Sequence, residues 1–209
     1  MKEIDNITKR VLPLFIRYGI RSVTMDDIAR ELGISKKTLY HAFKDKDDLI
    51  NRVIDFDMAQ SRTFMEEVHQ SESNAVQELF MVNRKIHSVR SNYSPSFYYD
   101  LKRYYPESYR RWIEDKRNNM YNVITGNLRK GKQEGVYRAE IDEHIIGRLH
   151  MARVEMLDGN EIIEENERLS SKFIQEVFTY HLHGICNAQG LKYLSEEKDK
   201  SENNKEKNT

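Results

Sequence analysis

No proline lies between Pro13 and Pro95, and no glycine lies between Gly33 and Gly126. A sheet needs frequent chain reversals, and those draw on Gly, Pro and Asn-Gly pairs. Stretches this long without them fit long helices, so the fold class expected is all-α.

Caps and apolar spacing place the helices. The first runs from about residue 4 to 18 with Ile7, Val11, Leu14 and Phe15 on one face, and Pro13 should kink it or delay its start. The second follows Thr24, carries Asp26 and Asp27 where the helix dipole favours acid, and stops at Gly33. The third follows Ser35 and ends near Phe43, and the fourth spans about 45 to 69. After a loop at 71–74 comes a fifth helix, about 75 to 90. Pro95 opens a short sixth, and Pro106 suits the first position of a long seventh ending near Gly135. Asp142 caps an eighth, which Gly159 ends. The ninth spans about 170 to 186, with Phe173, Ile174, Val177, Phe178, His181, Leu182 and Ile185 at helical spacing. No apolar residue occurs from Ser195 to Thr209, so that stretch is expected to be a disordered tail.

Composition narrows the function. The formal net charge is zero, which excludes a uniformly basic nucleic-acid coat but leaves room for local basic patches. The single cysteine, Cys186, allows no intrachain disulfide and no multi-thiolate zinc site. The apolar run 11–16 is short and broken by Pro13, and nothing approaches the roughly 20 apolar residues of a spanning helix. A soluble, cytoplasmic protein without cofactor is expected.

The first fifty residues carry the chemistry. Two short helices joined by Gly33-Ile34-Ser35 form a helix-turn-helix pattern. In the second of them, Leu39 and Phe43 lie four apart and can anchor it, leaving Lys36, Lys37, Thr38, Tyr40 and His41 to face outward. Residues 1–44 hold nine Lys/Arg against five Asp/Glu, although the whole chain is neutral. A helix entering a major groove needs that field, small donors and an aromatic hydroxyl. A helical bundle with a solvated basic face is the alternative.

The stretch 23–29 (Val-Thr-Met-Asp-Asp-Ile-Ala), then Leu32-Gly33-Ile34-Ser35, Thr38-Leu39-Tyr40, Phe43 and Lys46-Asp47-Asp48-Leu49 resembles the TetR/AcrR family of bacterial transcriptional regulators. Leu14-Phe15 and Gly19 match that family's first helix. The resemblance implies an N-terminal three-helix DNA-binding domain, residues 1–48, followed by a larger helical effector-binding and dimerisation domain, residues 49–194, with the tail at 195–209. It implies a ligand-responsive regulator, a repressor, that binds a palindromic operator as a homodimer. The apolar stripe from Phe173 to Ile185, too rich for a solvent-facing helix, places the dimer interface on the eighth and ninth helices. A DNA-organising protein of the same fold without an effector is the alternative.

Site residues follow from the same resemblance. Thr24 caps its helix and meets a phosphate. Ser35 caps the recognition helix, from which Lys36, Thr38 and His41 face the groove. Tyr40 places its hydroxyl on a phosphate, and Lys46 meets another at a helix N-terminus. Lys37 stands where many relatives have glycine, which puts a long cation within reach of a base. Ala42 stands where an aromatic or histidine is common.

Nine aromatic residues lie between Tyr93 and Tyr121. Phe97, Tyr98, Tyr99, Tyr105 and Trp112 are the candidates for lining an effector pocket, because Tyr and Trp combine apolar surface with an orienting donor. Ordinary core and boundary packing is the alternative. Residues 102–132 hold nine Lys/Arg against three Asp/Glu, and 140–167 hold nine Asp/Glu against two arginines, which suits solvated or complementary helices. His181 with His183, and His144 with His150, are badly spaced for a shared metal, so no metal site is expected. No nucleophile–base pair, paired carboxylate or phosphate loop stands out, which argues against an enzyme.

Overall fold

The computed structural model of the protein describes residues 2–158, 163–164 and 170–206. Among them the chain is helical, with an isolated antiparallel bridge between Tyr137 and Cys186 and no strand. The helices are α1 (Lys2–Tyr18), α2 (Met25–Leu32), α3 (Lys36–Ala42), α4 (Lys46–Gln70), α5 (Ala75–Asn92), α6 (Pro95–Tyr104), α7 (Pro106–Gln133), α8 (Glu143–Asp158), α9 (Ser171–Ile185) and α10 (Ala188–Glu206). The all-α expectation holds, as does the order of a helix-turn-helix followed by a larger helical part. The stop expected at Gly159 lies outside the described residues.

Two compact units emerge, each discontinuous in sequence: residues 1–66 with 84–116, and residues 67–83 with 117–209. The boundary expected at residue 48 differs from this division. Leu49, Ile50, Val53 and Ile54 of α4 are buried in the same core as α1 to α3, so the first unit takes in most of α4, together with residues 84–116.

Sharp caps shape the first unit. Thr24 Oγ1 accepts the N–H of Asp27, and the Asp27 carboxylate accepts that of Thr24, a reciprocal capping box on α2. At the other end Gly33 adopts φ 68°, its N–H reaching Arg30 C=O while the Ile34 N–H reaches Ala29 C=O. A left-handed residue with this bond pair is what turns α2 into α3, and a side chain would be strained there. Asp45 caps α4, its Oδ1 accepting the Asp48 N–H at 2.8 Å. Pro13 neither delays nor ends α1: the ring sits on an exposed face of a helix running from Lys2 to Tyr18.

In the second unit, Phe80 and Phe178 meet edge to face at 5.2 Å, with Leu128, Tyr137, Leu182 and Ile185 in the same core. This revises the apolar stripe of α9. Ile174, Phe178, Leu182 and Ile185 are buried within their own unit, so the stripe is accounted for by internal packing. Ile145 and Leu149 on α8 and Tyr180 on α9 remain exposed, by 57%, 60% and 82%.

The tail expectation is corrected over residues 195–206, which are helical within α10. Its start explains this. Asn187 Oδ1 accepts the N–H groups of Gln189 and Gly190, and its amide donates to the carbonyls of Gly135 and Tyr137. Leu194 is buried, and Glu197 pairs with Lys200 at 2.8 Å one turn on. A helix nucleated this firmly propagates through polar residues.

Candidate functional site

The recognition-type helix α3 is fastened by its apolar face. Leu39 and Phe43 are fully buried, which turns Lys36, Lys37, Tyr40 and His41 outward, with Tyr40 51% exposed. Thr38 is half-buried, and its N–H and hydroxyl both meet Ser35 Oγ, at 3.0 and 2.8 Å. Ser35 is therefore the cap of α3 as expected. Lys36 is drawn back toward α2, its ammonium 2.6 Å from Asp26 Oδ2. Lys37 and His41 extend from the outer surface. The Thr24 hydroxyl is 2.6 Å from Asp27 Oδ2. That bond is the first cause holding the Asp27 carboxyl below its ordinary range, with the Thr24 backbone N–H and Arg30 adding to it.

Lys46, the first residue of α4, is half-buried. Burial lowers the proton affinity of its ammonium, opposed by the Asp100 and Asp47 carboxylates. Asp100 itself is buried on α6, and its Oδ2 accepts the Arg21 N–H. Arg21 in turn lies 4.5 Å over the Tyr104 ring and donates to its hydroxyl. Sequence reasoning missed both Asp100 and Arg21, because the bond between them spans 79 residues.

The five aromatic candidates separate. Phe97 and Trp112 are fully buried, with Tyr93 and Tyr98 against them at centroid distances of 5.2 to 6.1 Å. Tyr99 instead points outward against Tyr104, and is 61% exposed. Tyr105 is half-buried, its hydroxyl pushed up in pKa by burial first and then by Asp47 and Asp100. The structure thus brings Phe97, Tyr98 and Trp112 together and leaves Tyr99 outside.

A carboxylate organises that cluster. Asp57 of α4 accepts the Tyr93 hydroxyl on Oδ1 at 2.6 Å and the Trp112 indole N–H on Oδ2 at 2.7 Å. Burial, then Asp57, pushes the Tyr93 hydroxyl far above its ordinary pKa, so it stays a donor. Lys116, one turn beyond Trp112 on α7, lays its ammonium 3.7 Å from the Trp112 ring centroid, 5.0 Å from that of Tyr93 and 3.7 Å from Asp57 Oδ2. The signal for Asp57 was present. Ile50, Val53, Ile54 and Asp57 share one face of α4, so an acid sits where burial is dictated.

The second unit holds a histidine pair that sequence spacing missed. His150 Nδ1 and His181 Nε2 are 3.2 Å apart, across α8 and α9, beside the Arg153 guanidinium. Burial lowers both imidazole pKa values, with Arg153 contributing to each.

Comparison with known proteins bears on the first unit most directly. Residues 9–53 match the profile of bacterial regulatory proteins of the tetR family. Over 45 residues the chain is 49% identical to an HTH-type transcriptional regulator of Staphylococcus aureus (strain USA300), a match covering 22% of this chain and 24% of that protein. The chain thus spans about a quarter of the length of the curated relatives it matches. Whole-chain similarity is one of fold. The reduced form of Escherichia coli NemR aligns with TM-score 0.68 at 12% identity, over 88% of this chain and 97% of that one. A transcriptional regulator from Cytophaga hutchinsonii ATCC 33406 aligns with TM-score 0.66 at 18% identity, over 89% and 98%.

Proposed function

We propose, from the premise that this chain belongs through its N-terminal domain to the TetR family of bacterial regulatory proteins, that it is a homodimeric, ligand-responsive repressor of transcription. The observation that carries this reading is the outward face of α3. Leu39 and Phe43 lock the helix by one side, and Lys37, Tyr40 and His41 present cation, hydroxyl and imidazole on the other. A short helix so exposed and so anchored can enter a major groove with its N-terminal residues at base edges. Thr24, Ser35, Lys36, Thr38 and Lys46 complete the DNA-facing set, with Tyr40 and Lys46 on phosphates.

Two copies related by a two-fold axis present two such helices, and a palindromic operator is their complement. The exposed Ile145, Leu149 and Tyr180 support a subunit interface on α8 and α9, since burying large apolar side chains that one subunit leaves in water favours association. The effector acts through the aromatic residues Tyr98 and Trp112, which follow the helix-turn-helix in sequence and share its compact unit. It weakens DNA binding only as far as it favours the non-binding arrangement of the two heads.

The test is selection of bound duplexes from a random pool by purified protein. Inverted-repeat sites should be enriched, and Tyr40→Ala with His41→Ala should abolish enrichment. Leu149→Asp should convert the dimer to a folded monomer on sizing and remove the inverted symmetry of the selected sites. A pool left unenriched by the folded wild-type protein overturns the reading.

A further inference from the structure

Asp57, Tyr93 and Trp112 form a polar centre at the edge of the first unit's apolar core, with the exposed Tyr98 ring packed against it, and it is complementary to a cation. The Asp57 carboxylate is fixed by two donors, the Tyr93 hydroxyl and the Trp112 indole N–H, and its side chain is only 14% exposed. Neither donor carries charge, and the positive partner of the carboxylate is the Lys116 ammonium, 3.7 Å from Oδ2. The rings supply the rest of the site. Tyr93 and Trp112 lie 6.1 Å apart with their planes 34° from parallel, and Tyr98 is 5.7 and 5.6 Å from them. An aromatic face attracts a cation through its quadrupole, Trp most strongly, and more so when water is excluded.

Lys116 demonstrates the preference, because its ammonium lies over the Trp112 face and within ion-pair reach of Asp57. It reaches there from the next turn of α7, and its side chain is 29% exposed, so solvent is open to it as an alternative. A flexible four-carbon stem delivers a point charge and can withdraw it.

We propose that Asp57, Tyr93, Tyr98 and Trp112 constitute a binding site for an organic ammonium cation, of which Lys116 is the tethered, displaceable occupant. A quaternary or protonated amine takes the place of the Lys116 ammonium against Asp57 and the two rings, and Lys116 swings to solvent. A free cation competes with a tethered one, so the wild-type protein binds such ligands less tightly than a variant without the lysine. As the identity of the effector, the inference rests on the regulator reading given above. As a binding site it does not, and its test needs no DNA.

Trp112 is the only tryptophan in the chain, so its emission reports on this site alone. Tetramethylammonium chloride is titrated at constant chloride into wild type and Lys116→Ala, with tert-butanol as the uncharged probe of similar shape. Saturable change of Trp112 emission is expected with tetramethylammonium in both proteins, about tenfold tighter in Lys116→Ala. Asp57→Asn introduced into Lys116→Ala should weaken it at least tenfold, and tert-butanol should give no saturable change. Cooperative thermal unfolding of each variant establishes that it is folded. Folded Lys116→Ala without a saturable response, an equal response to tert-butanol, or equal affinity with and without the lysine overturns the proposal. Should Asp57→Asn not fold, Tyr93→Ala in Lys116→Ala takes its place with the same expected loss.

Discussion

The Asp100 carboxylate accepts the backbone N–H of Arg21 at 2.8 Å, tying α6 to the turn that follows α1. The turn is shaped for it. Gly19 has φ 83°, and a Cβ there would sit 3.0 Å from Asp100 Oδ2 and from Ser96 Cβ. The Ser94 N–H donates to the Ile16 carbonyl at 3.0 Å, and Arg21 reaches Tyr104 at the other end of α6. The start and the end of α6 are thus both fastened to the segment that leads from α1 into the helix-turn-helix.

A buried charged acceptor on a backbone donor contributes about 1.5–3 kcal/mol, and its loss leaves the donor unsatisfied. Asp100→Ala should therefore lower the stability of the first unit by that amount in urea unfolding. Asp100→Asn keeps an acceptor oxygen and should recover more than half of it. An unchanged midpoint for Asp100→Ala would show that water replaces the carboxylate without cost.

The histidine pair sets a pH dependence. Burial, then Arg153, lowers His181 to about 4, and His150 is also well below its ordinary value, through burial, Arg153 and His181. In the unfolded chain both return to about 6.5. As pH falls through that value the unfolded chain binds protons that the folded chain does not, so stability decreases toward lower pH and is level above about 7.5. For His181 the loss approaches about 2 kcal/mol by pH 5, above the range where most carboxylates titrate. Thermal midpoints from pH 8 to 5 should fall for wild type and stay nearly flat for His150→Gln with His181→Gln. Parallel profiles for the two proteins would exclude these imidazoles as the cause.

Two glycines of α7 should respond with opposite sign. At Gly126 a Cβ meets nothing within 4 Å, and alanine in a helix interior is favoured over glycine by roughly 0.5–1 kcal/mol. At Gly131 a Cβ would lie 2.1 Å from the Tyr137 ring, which is fully buried and cannot retreat. Gly126→Ala should raise the unfolding midpoint, whereas Gly131→Ala should lower stability by about 1–3 kcal/mol or more. Equal effects at the two positions would mean that the Tyr137 contact is not what excludes a side chain.

Local signals were legible and distant ones were not. Thr24, Gly33 and Ser35 act within three or four residues, so their capping roles follow from the sequence and are met atom by atom. The contrast between Phe178 and Tyr180 is different. Both lie on α9, but which side of that helix meets Phe80 and which stays exposed depends on tertiary packing. Spacing along one helix likewise could not pair His150 with His181, which come from different helices. The polar end of α10 was misread because Asn187, which starts that helix, bonds back to residues some fifty positions earlier.

On the proposed reading, Lys37 of α3 reads a base and Lys46 of α4 positions the protein on a phosphate. Lys36 is paired with Asp26 and Lys46 is half-buried near Asp100, so Lys37 is the lysine of α3 left to explore a groove. A lysine at a base edge donates to guanine O6 or N7, and a good base contact discriminates by roughly 1–3 kcal/mol. Lys37→Gly should then relax preference at one base position per half-site while leaving affinity for random duplex nearly intact. Lys46→Gln would remove the phosphate contact proposed for that residue. It should weaken every sequence alike and lower the slope of log affinity against log salt by about 0.9. Affinities across a panel of operator variants at several salt concentrations distinguish the two roles. Uniform weakening by Lys37→Gly, with a flatter salt dependence, would place Lys37 on the phosphate backbone, and sequence discrimination would then fall to His41 and Thr38.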